Sequence, residues 1–323
     1  MKTIAVTGAA GYIGSMVARQ ALEKGYKVVG IDRLMFGGDA IVDLLSHPHF
    51  RFVKADLRTD SVQAELTEVE GVIHLAAIVG DPACSKEPDL ARATNVDAGK
   101  KLFQDAKAAG VKRFIFSSTC SNYGRMADPT KLINEESELR PISLYAETKV
   151  EFESFLMEQP ETEIHPTVLR FSTVYGLSSR LRFDLTVNEF TKELALGREL
   201  VIFGEQFWRP YCHVYDLAKS TFLALEAPVE KVSRQVFNVG HTEENYQKQM
   251  IVEEIKKFLP ESQIKYVKKD EDPRDYRVSF DKIKAQLGFE TTYRVPDGIR
   301  QILEGIRGQV ITDPDNAKFK NVN

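Results

Sequence analysis

A glycine-rich turn near the start of the chain constrains the fold more than any other feature. Residues 7–14 have the sequence TGAAGYIG, which follows the apolar run 4–6 and opens a stretch with helical periodicity. In a turn between a buried strand and a helix, Gly8 permits the sharp bend, Gly11 lets the backbone approach a phosphate, and Gly14 lets the helix pack on the strand. The start of the helix would then offer free N–H groups to a pyrophosphate. We therefore predict a dinucleotide-binding turn here.

Short apolar runs alternate with helical stretches through the first half of the chain. Six short runs that are mainly apolar are expected to be buried parallel strands: 4–6, 27–31, 50–53, 72–75, 113–116 and 166–170. Helices are expected between them, including 12–23 and 89–109. This alternation predicts an α/β fold with a doubly wound parallel sheet of the Rossmann type.

The pattern changes after about Gly176. A helix is expected over 183–196, strands over 200–203, 210–214 and 235–239, and a further helix from near Asn245. We predict three parts: a dinucleotide-binding Rossmann domain, a mainly substrate-binding α/β lobe with segments that return to the first domain, and a polar, mobile tail. Their boundaries are 1–176, 177–310 and 311–323.

Composition argues against several classes of protein. The 323 residues are 43% hydrophobic and 28% charged, with a net charge of -4, which gives no electrostatic case for nucleic-acid binding. No apolar run reaches membrane-spanning length, and the start lacks the features of a signal peptide. The thiols Cys84, Cys120 and Cys212 have no metal-ligand spacing, so we expect no metal site and a cytoplasmic location.

An acidic residue stands where the second strand is expected to end. Asp32 lies about 20 residues beyond Gly14, the distance at which a carboxylate binds the ribose hydroxyls of a dinucleotide. A carboxylate there would repel a 2′-phosphate, so NAD is favoured over NADP. The adjacent Arg33 is the one feature on the side of NADP.

Two Tyr-x-x-x-Lys patterns could each place a phenol and an ammonium on one face of a helix. They are Tyr145/Lys149 and Tyr215/Lys219. A tyrosine acting as a base near pH 7 needs its pKa lowered by ~3 units, or ~4 kcal/mol. A cation about 5 Å away, at an effective dielectric of ~20, supplies roughly 3 kcal/mol of this. The pattern alone does not say which copy, if either, is catalytic.

A series of motifs in consistent order resembles the extended short-chain dehydrogenase/reductase family, most of whose members act on nucleotide-sugars. After the glycine turn, the matching segments are Asp56-Leu57, His74-Leu75-Ala76-Ala77, Asn95-Val96, 117–124, Tyr145/Lys149, 169–176, 209–214 and 237–240. The resemblance runs through about Val310. It implies an NAD-dependent enzyme with a nucleotide-diphosphate sugar as substrate.

The resemblance also assigns roles. Relatives have their catalytic helix at the position of Tyr145/Lys149 and an ordinary helix at the position of Tyr215/Lys219. The catalytic residues would be Thr119, Tyr145 and Lys149. The cofactor-binding residues would be Gly8, Gly11, Tyr12, Ile13, Gly14, Asp32, Arg33, Asp56, Leu57, Ala76, Ala77 and Asn95, together with Tyr145 and Lys149. The substrate-binding residues would be Thr119, Ser121, Thr173, Arg209 and Arg277, with Arg182 and Arg274 as further candidates.

The neighbours of Thr119 bear on the type of reaction. Relatives that eliminate water carry Asp-Glu directly after this threonine, whereas this chain has Cys120 and Ser121. We therefore expect an epimerase that forms a transient keto-sugar, often at C4 in relatives, with Tyr145 as the base. The alternative is a nucleotide-sugar 4-dehydrogenase or ketoreductase. A 4,6-dehydratase and a non-catalytic NAD-binding regulator are disfavoured. Relatives often form homodimers, and the base and sugar of the substrate stay open.

Overall fold

The computed structural model describes residues 1–126, 128, 131–160, 163–267 and 275–321. Arg274, one of the further substrate-site candidates, lies outside the described residues. The strands, numbered in chain order, are β1 (Thr3–Thr7), β2 (Lys27–Asp32), β3 (Phe50–Lys54), β4 (Gly71–His74), β5 (Arg113–Thr119), β6 (His165–Phe171), β7 (Thr173–Tyr175), β8 (Leu200–Phe203), β9 (Trp208–His213), β10 (Gln235–Val239), β11 (Asn245–Gln247) and β12 (Ile264–Val267). The α-helices are α1 (Tyr12–Glu23), α2 (Asp81–Lys86), α3 (Pro88–Arg92), α4 (Ala98–Ala108), α5 (Leu144–Glu158), α6 (Thr186–Ala195), α7 (Val214–Glu226), α8 (Val229–Val232), α9 (Lys248–Lys256), α10 (Asp281–Leu287) and α11 (Val295–Arg307).

The main sheet is parallel and has the order β10-β6-β5-β4-β1-β2-β3. This confirms the predicted doubly wound α/β architecture. The carboxyl ends of the central strands meet at one edge, which brings Thr7, Asp32, His74 and Thr119 together. The strand β10 comes from the second half of the chain and pairs with β6, so a segment from beyond Gly176 returns to the first domain.

The strands of the main sheet are mainly apolar because helices cover both faces of the sheet. Adjacent residues of β1 show this directly: Val6 packs into one buried cluster, beside α1 and α7, and Ala5 packs into the other, beside α4 and α5. On the second face, Phe114 and Phe152 form part of a group of edge-to-face aromatic rings. This packing fixes α5 against the sheet.

Two helix predictions differ from the structure. The stretch 89–109 is interrupted by a π-helical turn over Ala93–Asp97, which no Gly or Pro announces in the sequence. The helix expected near Asn245 begins at Lys248, because Asn245–Gln247 pairs with β9 as an antiparallel strand. In both cases the deciding interactions are tertiary contacts, which helical periodicity does not reveal.

The second lobe is built on two small sheets, with the orders β11-β9-β7 and β12-β8. The helices α6, α9 and α11 enclose a separate core that includes Tyr175, Val187, Ile251 and Leu303. Among the residues described, every helix is too short or too polar to span a bilayer.

The polar segment expected to be a mobile tail lies against the second lobe as far as it is described. The Asp315 carboxylate contacts the Lys192 ammonium at 3.0 Å and also pairs with Arg198. The Phe319 carbonyl accepts a hydrogen bond from the Phe183 N–H at 2.8 Å, and the two rings pack edge to face. Polar composition suggested mobility, but here the polar groups are used in ion pairs and backbone hydrogen bonds.

Candidate active site

One large cavity lies at the carboxyl edge of the main sheet, and we call it the central cavity. Most of the predicted cofactor and catalytic residues line it: Gly8, Gly11, Tyr12, Ile13, Gly14, Asp32, Arg33, Asp56, Leu57, Ala76, Ala77, Thr119, Tyr145 and Lys149. Five predicted residues that the structure describes are not part of its lining: Asn95, Ser121, Thr173, Arg209 and Arg277.

The glycine turn forms one end of the central cavity. Gly8 has φ +72°, and its carbonyl lies so close to Gly14 that a Cβ at Gly14 would sit 1.9 Å from the oxygen. A Cβ at Gly8 would meet the backbone of Ala76 at 2.9 Å. Gly11 caps α1 in an extended conformation and lines the cavity. Only glycines allow this tight approach, which leaves the first N–H groups of α1 facing the cavity, and the cradle fits a dinucleotide pyrophosphate.

The Asp32 carboxylate is fixed by the backbone around it. It accepts hydrogen bonds from the Ala10 N–H at 3.0 Å and the Leu34 N–H at 2.7 Å. Burial raises the pKa of Asp32, and these two hydrogen bonds oppose that effect. The neighbouring Arg33 is directed toward Asp56, with 3.6 Å between guanidinium and carboxylate. An anchored carboxylate beside the turn suits the ribose hydroxyls of NAD.

Of two further predicted cofactor residues, Asp56 lines the central cavity and Asn95 does not. Asp56 lines the cavity, and hydrogen bonds from Arg58 lower its pKa to about 2. Asn95 is 2% exposed and lies in the π-helical turn. Its amide oxygen accepts a hydrogen bond from the Ile78 N–H, and its amide nitrogen donates one to the Ile78 carbonyl. It also donates to the Thr148 hydroxyl at 3.1 Å. Asn95 thus braces the loop that lines the cavity and links it to α5.

Tyr145 and Lys149 lie on the cavity-facing side of α5. Ser143 caps this helix and accepts a hydrogen bond from the Ala146 N–H. The Lys149 ammonium donates to the Ser117 carbonyl at 2.8 Å and lies 6.0 Å from the centre of the Tyr145 ring. The residues four apart therefore meet as the pattern predicted.

Burial dominates the electrostatics of this pair. It raises the pKa of Tyr145, an effect that the thiol of Cys84 adds to and the guanidinium of Arg182 opposes. Burial also lowers the pKa of Lys149 to about 8. Burial therefore favours the neutral phenol, whereas positive charge near the ring favours its ionised form.

A buried charged network supports the strand ends beneath Thr119. The Glu153 carboxylate pairs with the Arg170 guanidinium, and both side chains are 5% exposed. The same carboxylate accepts hydrogen bonds from Ser118 and Asn122. The Thr119 hydroxyl accepts a hydrogen bond from the Ser121 N–H at 3.1 Å. These contacts hold Thr119 in the same cavity wall as Tyr145.

The predicted substrate residues from the second lobe form a cluster of their own. The Arg209 guanidinium lies over the Tyr276 ring at 5.3 Å, and the Tyr276 hydroxyl is 3.3 Å from the Ser121 hydroxyl. Arg277 stacks over the Trp208 ring at 4.7 Å, and its Nε is buried without a hydrogen-bond partner among the described residues. Through Ser121, the cluster adjoins the segment that carries Thr119.

The second Tyr-x-x-x-Lys copy has structural contacts. The Lys219 ammonium donates to the Glu290 carbonyl at 2.8 Å, and the Tyr215 ring packs edge to face on Tyr293. These contacts tie α7 to residues 290–293, away from the central cavity. This agrees with the structural role that the resemblance implied for this copy.

The sequence analysis missed several cavity residues. Phe36, Arg180 and Asn321 line the central cavity, as does Arg182, which had been considered only as a substrate residue. The Arg-x-Arg pair 180–182 lies just past β7, which was a usable signal. Nothing local marks Asn321, because it reaches the cavity only through the path of the last described segment.

The comparisons with known proteins agree with this geometry. A family model described as the NAD dependent epimerase/dehydratase family matches residues 4–240. The chain belongs to this family. A UDP-glucose 4-epimerase of Lactobacillus helveticus is 30% identical over an alignment of 274 residues, and the match covers 79% of this chain and 81% of that protein.

Solved structures give the same result. A UDP-glucuronic acid 4-epimerase from Bacillus cereus, in complex with UDP-glucuronic acid and NAD, has a TM-score of 0.84 at 26% identity. A UDP-glucose 4-epimerase from Thermotoga maritima, with UDP-glucose, has a TM-score of 0.84 at 28% identity. Each comparison covers 95% of this chain and 99% of the other. The predicted family, the Rossmann fold, NAD as the cofactor and an NAD-dependent epimerase are confirmed.

Proposed function

We propose that this protein is an NAD-dependent 4-epimerase of UDP-hexoses, with Tyr145 as the base that forms a transient keto-sugar. The observation that carries the proposal is the arrangement of Thr119, Tyr145 and Lys149 in one cavity wall, with the glycine turn in the same cavity. The UDP-sugar is supported by the printed functions of the relatives, which include epimerases of UDP-glucose, UDP-glucuronic acid and UDP-N-acetylglucosamine.

The chain's own residues have the following parts in the reaction. The glycine turn binds the diphosphate of NAD, and Asp32 binds its adenosine ribose. When bound, NAD accepts a hydride from the sugar carbon and returns it to the opposite face. Tyr145 removes the proton from the hydroxyl group on that carbon and gives it back in the reverse step. Thr119 donates a hydrogen bond to the reacting oxygen, and Lys149 stabilises the ionised phenol.

The residues beside Thr119 favour epimerisation over elimination. The Cys120 thiol is buried and donates to the Arg170 carbonyl at 3.2 Å, and burial raises the pKa of this thiol. The Ser121 hydroxyl contacts Tyr276. Neither group is an acid or base suited to removing water from C5 and C6 of a sugar. A dehydrogenase would use the same three catalytic residues, so product analysis has to separate it from an epimerase.

The substrate diphosphate is assigned to the second-lobe cluster. Arg209 and Arg277 each carry a guanidinium stacked on an aromatic ring, a planar group whose geometry suits phosphate oxygens. The Nε of Arg277, which has no hydrogen-bond partner among the described residues, supports a ligand at this point. We include Ser121 and Thr173 on the sugar side as predictions from the resemblance.

We also propose that the protein is a cytoplasmic homodimer. Cys84, Cys120 and Cys212 are free buried thiols, which suits a reducing compartment. Phe152 on α5 is fully buried within the monomer, whereas Phe155 on the same helix is only partly buried and is available for a partner helix. Light scattering after gel filtration tests the dimer, and a fluorescent fusion in cells tests the location.

The decisive experiment compares two tyrosines. Purified protein is incubated with UDP-glucose, UDP-glucuronic acid and UDP-N-acetylglucosamine, and the configuration of the product is followed by NMR together with NADH absorbance. We expect inverted product at C4 without net NADH. Tyr145→Phe should lower turnover by about 10²–10⁴-fold, the usual contribution of a general base. The matched control Tyr215→Phe should retain activity. Accumulating NADH would favour the dehydrogenase, and unchanged turnover in Tyr145→Phe would refute the mechanism.

A further inference from the structure

The last described segment ends at the central cavity. Residues 313–321 are anchored on the second lobe through Asp315 and Phe319 and then turn toward the first domain. The Lys320 carbonyl accepts a hydrogen bond from Arg180, and the Asn321 side chain lines the cavity. We call residues 313–321 the strap.

The strap contacts a pair of cavity arginines in two ways. Arg180 is bonded directly, with 3.3 Å between its guanidinium and the Lys320 carbonyl. Arg182 is held through Asp184, whose carboxylate accepts hydrogen bonds from the Arg182 guanidinium at 3.0 and 2.8 Å and from the Asn321 N–H at 3.0 Å. The strap therefore positions both guanidinium groups of the Arg-x-Arg pair.

Arg180 is a buried cation without a carboxylate partner. It is 8% exposed, its guanidinium lies 4.1 Å from the Phe36 ring centre, and it makes no ion pair with any described residue. Burial and the nearby Arg182 lower its pKa to about 10. The Nε of Arg180 and the Oδ1 of Asn321 are both buried and have no hydrogen-bond partner in the described part of the chain. A buried guanidinium with an unused donor indicates that an anionic ligand completes this wall.

The position of the pair along the cavity identifies the chemistry of that ligand. Arg180 lies within electrostatic range of Asp32, on the adenosine side, and Arg182 lies within range of Tyr145, on the reacting side. The diphosphate of a dinucleotide joins these two ends. Its two negative charges suit the Arg180 guanidinium, whose Nε–H has no partner among the described residues.

We propose that the strap completes the NAD site by holding Arg180 against the diphosphate, opposite the glycine turn, with Asn321 in the same wall. The strap thereby slows the release of NAD. This inference depends on NAD as the cofactor and not on the identity of the sugar, so it can fail or hold independently of the proposed epimerase reaction.

The test measures NAD binding and not turnover. Four proteins are compared: the parent chain, Arg180→Met, a chain ending at Thr312, and the combination of both changes. The measured quantities are NAD retained after purification, the Kd by calorimetry and the NAD dissociation rate. Arg307→Met is the matched control, because Arg307 is an exposed arginine on α11.

We expect Arg180→Met to weaken NAD binding by about 10- to 100-fold, equivalent to about 1.4–2.8 kcal/mol. Removal of the strap should have a similar effect and should speed NAD release. The combined variant should bind NAD more weakly than either single variant but by less than the product of the two effects, because the strap acts in part through Arg180. The control should bind as the parent does.

Three results would overturn the proposal. They are an unchanged Kd in Arg180→Met, fully multiplicative effects in the combined variant, and a loss confined to NADP, which would assign Arg180 to a 2′-phosphate. The free energy of unfolding of each protein is measured without NAD, so that a loss of NAD binding can be told apart from a loss of folding. If the shortened chain does not fold, Phe319→Ala takes its place in the same comparison, since it removes the ring that packs on Phe183.

Discussion

Replacement of Lys149 by methionine tests whether a nearby ammonium tunes the proposed base. The Lys149 ammonium lies 6.0 Å from the centre of the Tyr145 ring. At an effective dielectric of ~20, a unit charge at this distance stabilises the ionised phenol by about 2.8 kcal/mol. This corresponds to about 2 pKa units. Lys149→Met should therefore raise the pKa of Tyr145 by about 2 units and slow turnover near pH 7 by about 100-fold.

Two assays measure this shift. The first is the pH dependence of kcat/KM, whose rising limb should move upward in Lys149→Met. The second is the tyrosinate absorbance of the NAD-loaded protein, with Tyr145→Phe as the subtracted reference, and it does not depend on the substrate. The matched control is Lys219→Met, which removes the lysine of the second Tyr-x-x-x-Lys copy.

The pKa of Lys149 gives the test a second part. Burial lowers this pKa to about 8. The interaction is reciprocal, so an ionised Tyr145 phenol favours the charged ammonium and opposes this effect of burial. The rates of the parent and of Lys149→Met should differ most below the pKa of Tyr145 and should converge at high pH, where the phenol of the variant also ionises. A shift under half a unit, or an equal shift in Lys219→Met, would refute the electrostatic reasoning.

Three further substitutions test the surrounding structure. Glu153→Ala should lower the free energy of unfolding by about 3–5 kcal/mol, because it leaves the buried Arg170 charge unpaired. Adding Arg170→Met to the same chain should restore much of this stability. A loss of less than about 1 kcal/mol for Glu153→Ala in denaturant titration would contradict the expectation. Gly14→Ala places a Cβ 1.9 Å from a carbonyl oxygen, so the turn must shift and NAD binding should weaken at least tenfold by calorimetry; an unchanged Kd would be inconsistent with the tight turn. Burial lowers the pKa of His74 to about 3 from its ordinary 6.5. As the pH falls, the histidine therefore takes up a proton in the unfolded state before it does so in the folded state. The free energy of unfolding should then fall by about 1.4 kcal/mol for each pH unit below 6.5. His74→Asn should remove this dependence of the free energy of unfolding on pH between pH 6.5 and 4.5. If the free energies of unfolding of the two proteins vary with pH in parallel, His74 is not the cause.

The sequence predicted the parts of the site that depend on local chemistry. Gly8 and Gly14 are needed by a turn within eight consecutive residues, and Tyr145 and Lys149 lie one helical turn apart on a helix with a serine cap. Asp32 could be found because the distance from a glycine turn to the end of the next strand varies little between Rossmann folds. In each case the residues that define the feature are near one another in the chain.

The missed features depend on long-range contacts. Asn321 lines the same cavity as Gly8, although the two residues lie near opposite ends of the chain. Asn95 is not part of the cavity wall and instead hydrogen-bonds the backbone of Ile78, which is. The strap was expected to be mobile because it is polar, and its composition does not reveal the contact of Asp315 with Lys192 of α6. The burial that raises the pKa of Tyr145 is likewise a property of the folded site.

The predicted boundary near Gly176 separates two parts of the chain that share one site. The Tyr12 hydroxyl, at the start of α1, donates to the Gly176 carbonyl, and Asn188 of the second lobe donates to the same hydroxyl and the same carbonyl. The strand β10 completes the main sheet from beyond this boundary, and the strap returns to the cavity through Arg180. Because residues of both lobes form the wall beside the glycine turn, a displacement of the second lobe would also move the groups that hold NAD. The lobe that is proposed to select the sugar is therefore also part of the cofactor site, and the two binding events are expected to be coupled through this shared wall.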